Sequence, residues 1–149
     1  MEQAAARTIG VTDGNKASRR GRGQAPRARM QDLVGVAKAL SDDSRVRILM
    51  LLRDGELCVC QIIQMLRLAP STISEHMAVL NRAGLVEARK EGRWIYYQLR
   101  DGDSPGLARV ALGWVQASLL DDKQVRADAR RLRVVKRTPV RELCRCYKP

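Results

Sequence analysis

The most constraining feature of this 149-residue chain is a change of hydrophobic period near residue 85. Before it, apolar residues recur at helical spacing in four short runs. Leu33, Val36, Ala37 and Leu40 form the first. Val46, Leu49 and Met50 form the second, widened by Ile48, Leu51 and Leu52. Val59, Ile62, Ile63 and Leu66 form the third, and Ile73, Met77 and Leu80 the fourth. The punctuation between them is chemical. Ser41-Asp42-Asp43 supplies capping side chains, Asp54-Gly55 stops a helix, and Leu68-Ala69-Pro70 breaks the chain before the fourth run. Pro70 suits a first helical turn, while Thr72 and Glu75 match a capping box, so the start of that helix is placed within about two residues. Ala83-Gly84 ends it. Beyond, 85–89 and 94–99 read as two strands around a turn at Lys90-Glu91-Gly92-Arg93, the second rich in β-formers. A last helix is expected over 107–120, with Leu107, Val110, Ala111, Trp114, Val115 and Leu119 along one side. The chain has no Phe, so its core is built from Leu, Ile, Val, Met and Ala, which suits packed helices. The expected class is mostly α with a small β-hairpin.

Charge divides the chain in three. Residues 1–29 hold 7 basic against 2 acidic side chains, residues 122–149 hold 10 against 3, and residues 30–121 hold 11 of each. A neutral domain over 30–121 thus carries a disordered basic arm before it and a basic, weakly periodic tail after it. The arm has too little apolar surface to offset its ordering entropy. Excess cationic charge favours a polyanion such as nucleic acid or an acidic membrane surface. No run of about 18 apolar residues is long enough to cross a bilayer, and no apolar segment follows the N-terminal charges, so the cytoplasm is the expected compartment and no membrane partner is expected.

Two short helices joined by a tight turn, followed by a hairpin with a basic tip, make a winged helix-turn-helix. The second helix must be apolar where it docks on the first and must present short polar groups to the major groove. Residues 71–82 have that division. Ser71, Thr72, Ser74, Glu75, His76 and Arg82 lie away from the Ile73/Met77/Leu80 row or flank it, and are the candidate DNA-reading residues. Any amphipathic surface helix also has a polar side, so the ordered set of elements carries the reading, not this helix alone. Lys90 and Arg93 at the hairpin tip are the candidate phosphate or minor-groove contacts.

Residues 30–121 resemble the ArsR/SmtB family of metal- and metalloid-responsive repressors. The resemblance is carried by Ala37-Lys38-Ala39-Leu40-Ser41-Asp42-Asp43-Ser44-Arg45-Val46-Arg47-Ile48-Leu49, Glu56-Leu57-Cys58-Val59-Cys60, Pro70-Ser71-Thr72-Ile73-Ser74-Glu75-His76-Met77, Ala83-Gly84-Leu85-Val86 and Gly92-Arg93-Trp94-Ile95-Tyr96-Tyr97. It implies a winged-helix homodimer joined through its first and last helices, bound to double-stranded operator DNA and released by its ligand. Apolar faces at Leu33/Val36/Leu40 and Leu107/Val110/Trp114 also exceed what one small core needs, and a two-fold dimer matches a palindromic site.

The four cysteines fall in two Cys-x-Cys pairs, Cys58/Cys60 and Cys144/Cys146. In a cytosolic chain such pairs suggest ligands or redox sensing. Soft thiolates favour thiophilic ions, and the resemblance makes Glu56-Leu57-Cys58-Val59-Cys60 an arsenical-responsive signature. The expected effector is As(III) or Sb(III), with no organic cofactor. The family's third Cys, three residues after the second, is replaced here by Ile63, so Cys144 or Cys146, from the same or the partner chain, is the candidate for completing the set. Two residues apart on a helix is about 200° of rotation, so Cys58 and Cys60 can share one centre only if the helix start is non-helical or unwinds. Unwinding there would shift the reading helix. A redox switch between the pairs and a soft divalent metal are the alternatives. The only histidine, His76, lies on the DNA side, which leaves no His-rich zinc site. An enzyme is not expected, because neither a Cys-x-x-Cys redox scaffold nor a Gly-rich phosphate loop is present. A sequence-independent nucleic-acid binder driven by the arms is the remaining rival, and its affinity would fall steeply with salt.

Overall fold

The computed structural model describes residues 27–100 and 106–145. Most of the expected N-terminal arm, 1–26, and Cys146 lie outside the described residues, as do 101–105.

The helical runs fold as read. Helix α1 spans Met30–Leu40 and α2 spans Asp43–Leu51, followed by a 3-10 turn at Leu52–Asp54. Asp42 caps α2, its carboxylate accepting the Arg45 N–H at 2.9 Å. Arg45 turns back and donates to the carbonyls of Ala39 (2.8 Å) and Lys38 (2.9 Å), two of the acceptors that the end of α1 leaves open. Helix α3 covers Val59–Leu66 and ends on Arg67, which takes the left-handed conformation at φ 56° and donates to the Ile63 carbonyl. Helix α4 covers Pro70–Arg82 with Pro70 in its first turn, so the alternative start at a Thr72/Glu75 capping box is not used. Ile73, Met77 and Leu80 are its buried row, as the spacing implied.

The hairpin and one unexpected strand form a three-stranded antiparallel sheet. Strand β1 is the two-residue segment Leu57–Cys58, β2 is Val86–Glu91 and β3 is Trp94–Leu99, in the order β1-β3-β2. Glu91 pairs with Trp94, so the wing closes on a two-residue loop, Gly92-Arg93, with Gly92 at φ 60°. Glycine meets that demand without a Cβ penalty. Strand β1 docks on the other edge of β3, with Leu57 opposite Tyr97 and Cys58 opposite Tyr96. Two residues are too few for alternation to show in the sequence.

Helix α5 runs over Gly106–Leu119. Its apolar residues, read as one stripe, divide into two. Ala108, Ala111, Leu112 and Val115 are buried, whereas Val110 and Trp114 are 70% and 66% exposed.

The largest departure is at the C-terminus. The expected tail from 122 is instead two further helices, α6 at Lys123–Arg137 and α7 at Val140–Arg145. Asp122 caps α6 by accepting the N–H groups of Gln124 and Val125. Val125, Leu132 and Val135 are buried against α2 and α3, so the packed domain extends past the boundary drawn at 121. Asp128 is 5% exposed and receives two bonds from the Arg47 guanidinium, Nε at 2.8 Å and Nη2 at 2.9 Å. The fork-to-carboxylate geometry fixes α6 on α2 and satisfies a charge that would be costly buried alone. Arg131 donates to the carbonyls of Gln64 and Met65, closing the open end of α3. Among the described residues, no helix is long and apolar enough to cross a membrane.

Candidate functional site

Three cysteines converge. The sulfurs of Cys58, Cys60 and Cys144 all lie within 4.8 Å of one another. Cys60 and Cys144 are joined as a disulfide, and the Cys58 sulfur stands 4.0 Å from that of Cys144. The local backbone explains how Cys58 and Cys60 meet. Cys58 is not on the helix. It is the last residue of β1 and the N-cap of α3, extended at φ −67° and ψ 145°, and only Cys60 sits in the first helical turn. The 200° separation therefore does not apply. Of the two conditions the spacing allowed, a non-helical start is the one realised, and no unwinding is needed to bring the pair together. The Cys58 N–H donates to the Gln61 side-chain oxygen at 2.9 Å, which holds this junction.

Cys58 is fully buried, and burial pushes its thiol above the ordinary range, with N–H donors of Cys60 and Val59 pulling the other way. The third sulfur arrives through the C-terminal helices of the same chain. Helix α6 packs on α3, α7 follows, and Cys144 on α7 reaches the start of α3. Among the described residues the cluster is made of cysteine sulfurs, which suits soft, thiophilic centres over hard cations that prefer oxygen.

The three cysteines are among the residues lining a cleft of about 410 Å³. Val59 and Ile63 of α3, Pro70 and Ser74 of α4, Arg93, Trp94, Ile95 and Tyr97 of the wing, and Arg145 of α7 line it with them. The cleft thus touches both the helix and the hairpin proposed from sequence to meet DNA. A second tie links the cysteine segment to the wing. Arg89 on β2 bonds both carboxylate oxygens of Glu56, at 2.7 and 3.2 Å, and also pairs with Glu91. It lies over the Tyr96 ring, 4.8 Å from the centroid. Glu56 has its carboxyl held below the usual range, first by this hydrogen bond from Arg89.

The sequence-predicted DNA residues fall in two groups. Ser71, Ser74, Glu75 and Arg82 are exposed on α4, Thr72 is half-buried, and Lys90 and Arg93 are exposed at the wing. Arg93 rests on the Trp94 ring at 5.0 Å from its centroid. His76 departs from the group. It is half-buried, with Nδ1 3.4 Å from Arg45 Nη1 and 4.0 Å from the Asp42 carboxylate. Its polar edge is turned to the start of α2. Arg145, Trp94 and Tyr97 were not singled out from sequence. The position of Arg145 depends on the fold of α6 and α7, which the spacing of charges concealed. Cys146 lies outside the described residues.

Residues 42–88 match the model of the bacterial regulatory protein, arsR family. The arsenic resistance transcriptional regulator ArsR2 of Pseudomonas putida is 36% identical over 113 residues, covering 74% of this chain and 95% of that protein. The arsenic resistance transcriptional regulator ArsR1 of the same species is 46% identical over 65 residues, 43% of this chain, and the match spans 51% of its length. Among solved structures, HlyU from Vibrio cholerae superposes with a TM-score of 0.53 at 31% identity, over 61% of this chain and 95% of that one. With the helix-turn-helix, the wing and the clustered cysteines in place, the chain belongs to the ArsR/SmtB family of winged-helix transcriptional regulators, which bind DNA and are not enzymes.

Proposed function

We propose that the protein is a transcriptional repressor that holds operator DNA as a homodimer and releases it when trivalent arsenic or antimony bonds to the thiolates of Cys58, Cys60 and Cys144. One observation supports the reading: three cysteines whose sulfurs lie within 4.8 Å of one another line the cleft between α4 and the wing. A trivalent metalloid takes three soft ligands, and among the described residues no carboxylate or imidazole joins the cluster. The similarity to regulators whose names specify arsenic resistance points the same way.

DNA contact is assigned to Ser71, Thr72, Ser74, Glu75 and Arg82 on α4 and to Lys90 and Arg93 on the wing, with His76 acting from behind α4 through Arg45 and Asp42. The dimer is assigned to the neighbouring exposed apolar residues of α1 and α5, Met30, Leu33, Val110 and Trp114. Release follows from position. A metalloid in this cluster draws α3, the edge of the wing and α7 onto one centre, and the cleft above it is walled by Pro70 and Ser74 of the reading helix. Both DNA-facing elements are then set by the ligand, without unwinding α3.

A second reading is favoured by the Cys60–Cys144 disulfide. Two thiols give up two protons and two electrons to a peroxide, which leaves as water, and the disulfide itself is the signal. A gel-shift on the DNA upstream of the coding sequence separates the two. Arsenite added to reduced protein is expected to abolish the shift, and Cys58→Ser or Cys60→Ser to raise the arsenite needed by at least about tenfold. Release by peroxide alone, with arsenite inert, selects the redox reading. Unchanged arsenite response in the Cys58→Ser/Cys60→Ser double variant overturns the metalloid site.

A further inference from the structure

We propose that the outer face of α6 is a second surface for duplex DNA, on which Lys123, Arg126, Arg130, Arg133 and Arg137 lie along the phosphate backbone flanking the segment held by α4 and the wing. The proposal rests on the chain being a DNA-binding regulator, not on the identity of its effector.

Three observations carry it. The first is spacing. Seven of the fifteen residues of α6 are basic and one is acidic. Lys123, Arg126, Arg130, Arg133 and Arg137 recur at steps of three and four, so they share one side of the helix over about 21 Å, with neighbours about 4.5–6 Å apart along its axis. All five are exposed. A duplex carries one negative charge per about 1.7 Å of its length, so a fixed row of cations finds phosphates at many registers.

The second is uncompensated charge. Arg126 pairs with Asp121, but among the described residues no carboxylate forms an ion pair with Lys123, Arg130, Arg133 or Arg137. Asp128, the one acid of α6, is buried and held by Arg47. An ordinary solvated face intersperses both signs, whereas a row of one sign repels itself until a polyanion covers it.

The third is placement. Arg131 donates to the carbonyls of Gln64 and Met65 at the end of α3, just before the turn that opens α4, and Arg67 is exposed on that turn. Helix α6 is thus fixed beside the approach to the reading helix. The Asp122 cap and the Arg47–Asp128 fork hold its backbone, so only side chains need ordering when a duplex docks.

A duplex fits this face better than an acidic membrane. A helix that enters a membrane interface needs a free apolar side. That of α6 packs on α2 and α3, and Val134 is its one large apolar residue left exposed. Four of the five cations are arginines, whose planar fork matches phosphate oxygens.

The test footprints reduced full-length protein with hydroxyl radicals on a long duplex from upstream of the coding sequence, beside the variant Arg130→Gln/Arg133→Gln/Arg137→Gln. Wild type is expected to protect backbone on both flanks of a central block, and the variant to lose the flanks and keep the centre. All three sites are exposed, so the variant is expected to unfold at the wild-type urea concentration. Its affinity at low salt is expected to fall by at least about tenfold for this duplex and for an unrelated one alike, because phosphate contacts carry no sequence information. The slope of log K against log salt is expected to flatten by at least about 2, since each lost phosphate contact removes about 0.9 and each of two chains loses three cations. Replacing the same three arginines by lysine keeps the charge and is expected to keep the flanks. A glutamine variant with the wild-type footprint and salt slope overturns the proposal while operator binding stands. Vesicles of phosphatidylserine that bind the wild type but not this variant, with the footprint unchanged, also overturn it and assign the face to a membrane. A wild type that protects no duplex removes the repressor reading and the proposal together.

Discussion

At the scale of single residues, the structure turns on short polar groups that close helix ends. Asp42 is the clearest. Its carboxylate lies below the usual range, first because it accepts the Arg45 N–H and then because the Arg45 and His76 side chains stand nearby. A carboxyl depressed in the folded state stabilises fully above its unfolded pKa, and the contribution fades as pH falls through the lower folded value. Asp42→Ala is therefore expected to cost about 1 kcal/mol near neutrality, and the difference from wild type to shrink in acid, as read by urea denaturation at several pH values. An equal difference at all pH values would mean that the charge plays no part. Asp42 was legible from sequence as a cap because Ser41-Asp42-Asp43 sits between two helical runs. The inward turn of His76 was not. A helical wheel places His76 beside the polar group, and only the approach of α2 shows that Arg45 and Asp42 claim its ring.

At the scale of elements, α4 and the wing were legible and α6 was hidden. The Ile73/Met77/Leu80 row and the Gly92 turn are strong local signals that survive folding unchanged. In α6 the buried positions are Val125, Asp128, Leu132 and Val135, at intervals of three, four and three. Aspartate at one of them breaks the apolar stripe, and the surrounding arginines and lysines make the segment read as a solvated tail. Its buried face is completed by Arg47, 81 residues away, which no local pattern reveals. Strand β1 was missed for a different reason, since two residues carry no period, yet it decides that Cys58 is extended. Because α6 packs on α2 and α3, Leu132→Ala is expected to leave a cavity and to cost about 2–4 kcal/mol in a denaturation experiment. A cost below about 0.5 kcal/mol, typical of an exposed site, would return α6 to the status of a tail.

At the scale of the whole molecule, the distribution of charge and apolar surface assigns faces. Met30, Leu33 and Trp114 are more than half exposed on α1 and α5, two helices that touch. A pair of chains covering them by two-fold symmetry removes this apolar surface from water and places two wings on one duplex. Trp114→Glu puts a charge into that face and is expected to leave the fold intact, to sediment as a monomer and to weaken operator binding by at least about tenfold. A Trp114→Glu protein that remains dimeric would move the interface elsewhere. The surplus apolar faces were foreseen in the sequence, though Val36 proved to be buried within the chain and only part of the surplus remains open.

In the proposed repressor one metalloid is held by three sulfurs of one chain, those of Cys58 and Cys60 at the start of α3 and of Cys144 on α7, which cluster in the structure. X-ray absorption at the arsenic edge of reduced, arsenite-loaded protein reads that directly. Three sulfur neighbours are expected in the wild type and two in Cys144→Ser, with an oxygen taking the vacated position. Three sulfurs persisting in Cys144→Ser, or only two in the wild type, would contradict it.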